Sequence, residues 1–141
     1  MSKVAIVYWS GTGNTEQMAQ FVSEGAKSAG AEVSLFTASE FSADSMDAYD
    51  AVAFGCPSMG AEELEDTEFA PMFSDCESKL SGKKIALFGS YGWGDGEWMR
   101  TWEEGCSAAG AAFACDSVIC NSAPDDDAAQ ACRELGKALA S

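Results

Sequence analysis

Val4-Ala5-Ile6-Val7-Tyr8-Trp9-Ser10-Gly11-Thr12-Gly13-Asn14-Thr15 is the stretch that decides the fold. Its first six residues form an unbroken apolar run, the pattern of a strand buried on both faces. From residue 14 to about residue 29, Met18, Phe21, Val22 and Ala26 recur at helical spacing, and Gly30 then ends the helix. A strand that passes into a helix through so short a turn leaves the helix's first N–H groups, and the positive end of its dipole, at the turn. Such a turn is an anion site. Gly11 and Gly13 let the backbone close around a ligand, Ser10, Thr12 and Thr15 offer hydroxyls, and Asn14 offers an amide. The loop has no Lys or Arg, and it matches neither the Walker A pattern nor GxGxxG. A phosphate monoester suits it, and a plain polar turn with a helix cap would use the same residues.

Outward from this unit, apolar runs keep alternating with helix-period stretches. Residues 32–37 read as a second strand followed by a polar loop, and residues 51–56 as a third strand that Pro57 stops. Residues 67–80 place Phe69, Met72, Phe73 and Leu80 on one helix face, with Pro71 in the first turn. Residues 83–90 form the fourth strand, 97–109 a helix with Trp98, Trp102 and Cys106 four apart, 113–120 the fifth strand, and 125–140 the closing helix. Five strands alternating with about five helices predict an α/β fold: a parallel sheet with helices on both faces, in one domain over residues 1–141.

Composition narrows the function. Eight basic residues against twenty-three acidic ones give a net charge of −15, which excludes binding to a nucleic-acid backbone and favours cationic protein partners or plain solubility. The chain has no histidine, and its six cysteines at 56, 76, 106, 115, 120 and 132 have no CxxC spacing. A triad hydrolase, an imidazole-held metal and a dithiol redox site therefore have no basis, and the thiols read as small core residues in a reducing, cytoplasmic compartment. The N-terminal apolar run is too short for a secretory core or a membrane span.

In a doubly wound sheet the ligand sits beyond the carboxyl ends of the strands, where strand order reverses. Three segments should meet there: residues 10–15, residues 57–62 and residues 91–96. In the third, glycines at 92, 94 and 96 surround Trp93, which offers a flat aromatic face to a planar heteroaromatic ligand or else plugs the end of the sheet. In the second, Met59-Gly60 forms a turn in which Gly60 can take positive φ. Glu62 offers a carboxylate either to a ring N–H or to solvent.

Tyr8-Trp9-Ser10-Gly11-Thr12-Gly13-Asn14-Thr15, Cys56-Pro57-Ser58-Met59-Gly60 and Gly89-Ser90-Tyr91-Gly92-Trp93-Gly94 closely resemble the short-chain bacterial flavodoxins, and the likeness covers nearly the whole chain. The resemblance implies the flavodoxin-like three-layer fold, with strand order 2-1-3-4-5, FMN at the switch point between strands one and three, and no insertion in strand five. It assigns residues 10–15 to the FMN phosphate, Trp93 to one isoalloxazine face, and Met59 and the edge of Trp9 to the other region of the ring. It gives the amides of Gly92 and Gly94, in the loop that Tyr91 opens, to the pyrimidine oxygens, and Glu62 to flavin N3–H. The Gly60 carbonyl would go to N5–H on reduction; Ser58 belongs to the same loop, and Ser90 and Asn121 would meet the ribityl chain.

The function implied is a low-potential one-electron carrier, without catalytic residues, bound metal or substrate turnover of its own, shuttling electrons through semiquinone and hydroquinone states. Glu62, Glu63, Glu65, Asp66 and Glu68 around the second loop, with Asp95 and Glu97 flanking the third, would disfavour the hydroquinone anion and steer basic redox partners to a monomeric carrier. Two other readings share parts of the pattern. An FMN-dependent NAD(P)H:quinone oxidoreductase of the same fold needs room for nicotinamide, and a non-redox signalling module needs an acidic phosphoacceptor pocket.

Overall fold

The computed structural model describes residues 2–11, 13–59, 63–92, 94 and 96–141. The first strand β1 (Lys3–Tyr8) leads into α1 (Asn14–Ser28), followed by β2 (Glu32–Thr37), β3 (Ala51–Gly55), α2 (Phe69–Cys76), β4 (Lys84–Tyr91) and α3 (Glu97–Ala108). Two short strands, β5 (Ala112–Phe113) and β6 (Val118–Asn121), precede the last helix α4 (Asp126–Ala140). The sheet is parallel, in the order β2-β1-β3-β4-β5, with β6 also paired to β4. This is the flavodoxin-like order the resemblance implies.

Side chains leave a strand on alternate faces, so each central strand feeds two cores. Val4, Ile6, Ala51, Ala53, Ala86 and Phe88 face α1 and α4, while Ala5, Val7, Val52, Phe54, Ile85 and Leu87 face α2 and α3. Trp98, Trp102 and Cys106 bury the inner face of α3, as their spacing predicts. Burying each large apolar side chain stabilises the fold by about 1.5–3 kcal/mol.

Three expectations need correction. The predicted fifth strand is two pieces: β4 advances three residues from Ile85 to Phe88 while the edge advances five, from Phe113 to Val118, so two extra residues loop out. The break falls among Ala114, Cys115, Asp116 and Ser117, where polar side chains favour a turn, and the Ser117 hydroxyl donates to Glu103 Oε2 of α3 at 2.7 Å. The loop after β2 contains short 3₁₀ turns at Ala38–Glu40 and Ala43–Ala48, leaving four α-helices among the described residues instead of about five. Helix α2 is shorter than residues 67–80, because the chain tightens into a 3₁₀ turn at Glu77–Lys79.

Candidate functional site at the carboxyl edge of the sheet

The loop after β1 turns on Gly13, the N-cap of α1, with φ of 96°, a left-handed conformation that strains any residue carrying a Cβ. Ser10 folds over the helix start, its Oγ accepting from the amides of Gly13 at 3.0 Å and Glu16 at 3.3 Å. Among the described residues the amides of Asn14 and Thr15 meet no acceptor, so the positive end of α1 stays available. The Trp9 indole lies over Gly11, where a Cβ would stand 3.0 Å from its ring, and its Nε1 donates to Glu68 Oε1 at 3.3 Å.

A cleft of about 400 Å³ opens beside this loop, within the size range of small-molecule sites. It brings together Trp9, Ser10, Gly11, Asn14 and Thr15 of the first loop, Ser58 and Met59 of the second, and Ser90, Tyr91 and Gly92 of the third. Pro57, which opens the second segment, and Ser122, which sequence reasoning missed, complete its walls. Gly13 lines a neighbouring recess of about 370 Å³ that shares Trp9, Ser10 and Gly11 with the cleft. Gly94 adopts φ of 85°. Asn121, at the end of β6 in register with Tyr91, lines a separate depression beside α4. Thr12, Gly60, Glu62 and Trp93, like Asp95, lie outside the described residues.

The cleft walls are tied to one another. The Ser58 amide donates to the Ser90 carbonyl at 3.0 Å, the Ser90 hydroxyl to the Ser122 carbonyl at 2.6 Å, and the Ser122 amide to the Tyr91 carbonyl at 2.8 Å. Ser122 pays for this position with φ of 60°, rare for a residue other than glycine, Asn or Asp. A strand end followed by Ser122-Ala123-Pro124 is the sequence signal that could have found this turn. Two hydroxyls of the cleft, Thr15 Oγ1 and Ser58 Oγ, are buried without a hydrogen-bond partner among the described residues. Buried polar atoms are almost always satisfied, and these two belong to residues that line one cavity next to a helix N-terminus. A ligand rich in oxygen atoms, such as a phosphate ester with a polyhydroxyl chain, fits that donor set.

Glu65 departs from the sequence expectation. Grouped by sequence with the exposed acidic ring, it is 5% exposed and holds the start of α2. Its Oε1 accepts from the amides of Glu68 and Phe69, each at 2.8 Å, and its Oε2 from the Thr67 amide at 2.9 Å and from the Thr67 hydroxyl. Burial works against its charge, yet the Thr67 hydroxyl and the three amides outweigh that penalty and hold the carboxyl below its ordinary range. Its own amide donates to Cys56 Sγ at 3.4 Å. Burial pushes the thiols of Cys56, Cys106 and Cys132 up to about 12 and that of Cys76 to about 11, so these four are inert core residues.

Comparison with known proteins follows the same outline. A family model described as Flavodoxin matches residues 6–136. The flavodoxin of Megasphaera elsdenii is 47% identical over 137 residues, covering 97% of this chain and 98% of its own, and that of Clostridium beijerinckii is 45% identical over 135 residues, covering 96% and 97%. The solution structure of the two-electron reduced Megasphaera elsdenii flavodoxin superposes with a TM-score of 0.90 at 47% identity, over 97% of this chain and 98% of that one.

Proposed function

The chain belongs to the flavodoxin family and has that family's electron-carrier role, and on this premise we propose that it acts as one domain, residues 1–141, binding a single non-covalent FMN in the cleft among its three loops. The bound flavin would supply the redox-active ring; the protein supplies binding, orientation and electrostatics. The observation that carries the reading is the pair of hydroxyls, Thr15 Oγ1 and Ser58 Oγ, buried without a partner among the described residues and belonging to residues that line a cleft beside the positive end of α1. Residues 10–15 offer the phosphate backbone amides and hydroxyls in place of basic side chains. Trp9, Met59, Tyr91 and Gly92 border the space next to it. Ser90 ties the second loop to the end of β4 through the Ser58 amide and the turn after β6 through the Ser122 carbonyl. Thr12, Gly60, Glu62, Trp93, Gly94 and Asn121 keep in this proposal the contacts that the resemblance implies.

Flavodoxins work with redox partner proteins. For this chain we infer basic partners, bound transiently by a monomer, because a net charge of −15 attracts cationic surfaces through a field that salt screens. No helix of the described residues is long and apolar enough to cross a membrane. A cytoplasmic location and the lack of substrate turnover of its own belong to this proposal through the family resemblance alone. Equilibrium binding tests the cofactor. FMN should bind more tightly than riboflavin by tenfold or more, since each charge-assisted hydrogen bond to phosphate contributes about 1.5–3 kcal/mol. Equal affinity for the two would overturn the role of residues 10–15.

A further inference from the structure

Between the end of β3 and the start of α2 the chain runs from Cys56 to Glu68, and among its described residues the one element of regular pairing is the bridge in which Met59 and Glu63 exchange two hydrogen bonds of 2.8 Å. Backbone outside secondary structure needs other partners, and here they fall at two places. On the β3 side, the amides of Cys56 and Ser58 donate to the carbonyls of Phe88 and Ser90 on β4. On the α2 side, everything converges on Glu65. Its carboxylate takes four donors from Thr67, Glu68 and Phe69, its carbonyl accepts from the Ala70 amide at 2.8 Å, and its amide reaches back to Cys56 Sγ. Glu65 thus closes the segment into a loop fixed at both limbs, with Met59 and Glu63 between. The same carboxylate sets the backbone of Glu68, whose side chain accepts from Trp9 Nε1.

We propose that Glu65 is a positioning residue for the cofactor: without touching it, the buried carboxylate fixes the second loop and the Trp9 indole against the cleft. This inference rests on the FMN reading above. A carboxylate is required because four N–H and O–H donors converge on one spot, and only an anion with two oxygens accepts them all. Glu65→Gln keeps the shape, loses the charge and turns an acceptor into a donor facing the Thr67 amide. The limb on the α2 side, at Thr67, Glu68 and Phe69, then loses its tether, and with it the Glu68 partner of Trp9, so that this wall must be ordered by the cofactor on binding, which weakens affinity.

The test compares Glu65→Gln with Glu63→Gln and Asp66→Asn, which remove the same charge from exposed neighbours, and with Thr67→Ala, which removes one donor and leaves the carboxylate. FMN affinity and the separation between the two one-electron reduction potentials are measured for each variant, with circular dichroism as the check on folding. The expected result is a loss of affinity of about tenfold in Glu65→Gln and about threefold in Thr67→Ala, with a changed separation of potentials, while the two exposed variants stay within about twofold of the parent. Should Glu65→Gln fail to fold, Thr67→Ala decides alone. A folded Glu65→Gln that matches the exposed variants, or a Thr67→Ala identical to the parent where Glu65→Gln is unfolded, would overturn the inference. Failure of the parent chain to bind FMN would overturn the reading beneath it instead, and the two failures are distinguished by that one measurement.

Discussion

The two faces of the sheet hold their halves of the site by different physics. On the α1 and α4 face the strands present small residues, Ala51, Ala53 and Ala86, and the two helices meet backbone to backbone. A Cβ on Gly25 would stand 1.9 Å from the Arg133 carbonyl oxygen, and one on Gly136 would stand 2.1 Å from that of Val22. On the other face the packing is aromatic, with Phe54, Phe69, Phe73 and Trp102 meeting edge to face or stacked at centroid distances of 5.0 to 6.1 Å. The loop on that side hangs from the Glu65 carboxylate. The first loop is therefore located by shape, the second by a buried charge. Shape does not respond to pH, whereas a buried charge does.

The largest test breaks the shape side. Gly136→Ala places a methyl group against the Val22 carbonyl, which belongs to helix backbone and cannot swing away. We expect a loss of about 3 kcal/mol in urea unfolding, at the upper end of overpacking costs. Since α1 carries the phosphate loop, FMN affinity should fall more than riboflavin affinity. Gly105→Ala supplies the contrast, because Gly105 is an exposed position of α3 with nothing within 4 Å of an added Cβ. That substitution should stabilise the chain by about 0.5–1 kcal/mol, as alanine is the better helix former. Losses of equal size at the two glycines would refute the close helix contact.

The next test sharpens the charge side. Glu65 has its carboxyl held below the ordinary value of 4.5, burial opposing and hydrogen bonds from Thr67, Phe69 and Glu68 prevailing. A group with a depressed folded value stabilises the fold fully above its unfolded value and loses that contribution as pH falls through the folded one. Unfolding free energy of the parent should therefore decline below about pH 4.5, and the gap between parent and Glu65→Gln should narrow over the same range. Part of the decline belongs to Glu40, whose carboxyl is lowered by the Thr37 amide and hydroxyl and would persist in the variant. The loss caused by Gly136→Ala should be the same at either pH.

This asymmetry explains what could be read from the sequence. The apolar runs at residues 4–9, 51–56 and 83–90 signal buried strands because both faces are covered, and Gly13 is legible because its turn demands positive φ. The edge strand misleads because residues 113–120 look continuous, and only Asp116-Ser117 hints that the ladder breaks. Glu65 stands among Glu62, Glu63, Asp66 and Glu68, and glutamate is not a favoured helix cap, so periodicity gives no reason to bury it. The one available clue is its position three and four residues before Glu68 and Phe69, whose amides open α2. Burial of a charge is decided by donors brought in from the folded backbone, and a linear pattern does not display them.

The smallest expected effects come from the acidic residues that remain exposed, once Glu65 is taken out of that group. Glu63 and Asp66 are exposed, and Asp95, which lies outside the described residues, is taken with them for its charge alone. Two unit charges about 10 Å apart interact by about 1.7 kcal/mol at an effective dielectric of 20, and solvent and salt reduce this to a few tenths. At one electron a few tenths corresponds to about 10–20 mV per residue. Combined Glu63→Gln, Asp66→Asn and Asp95→Asn should thus raise the second reduction potential by about 30–60 mV while leaving urea unfolding within about 0.5 kcal/mol of the parent. Electron transfer to a basic partner should slow and lose part of its dependence on ionic strength. An unchanged potential would remove these carboxylates from the tuning of the site, and an unchanged salt dependence would remove them from docking. A large loss of stability would mean that a second carboxylate of this run is built in as Glu65 is, since only a buried acceptor makes charge removal costly to the fold.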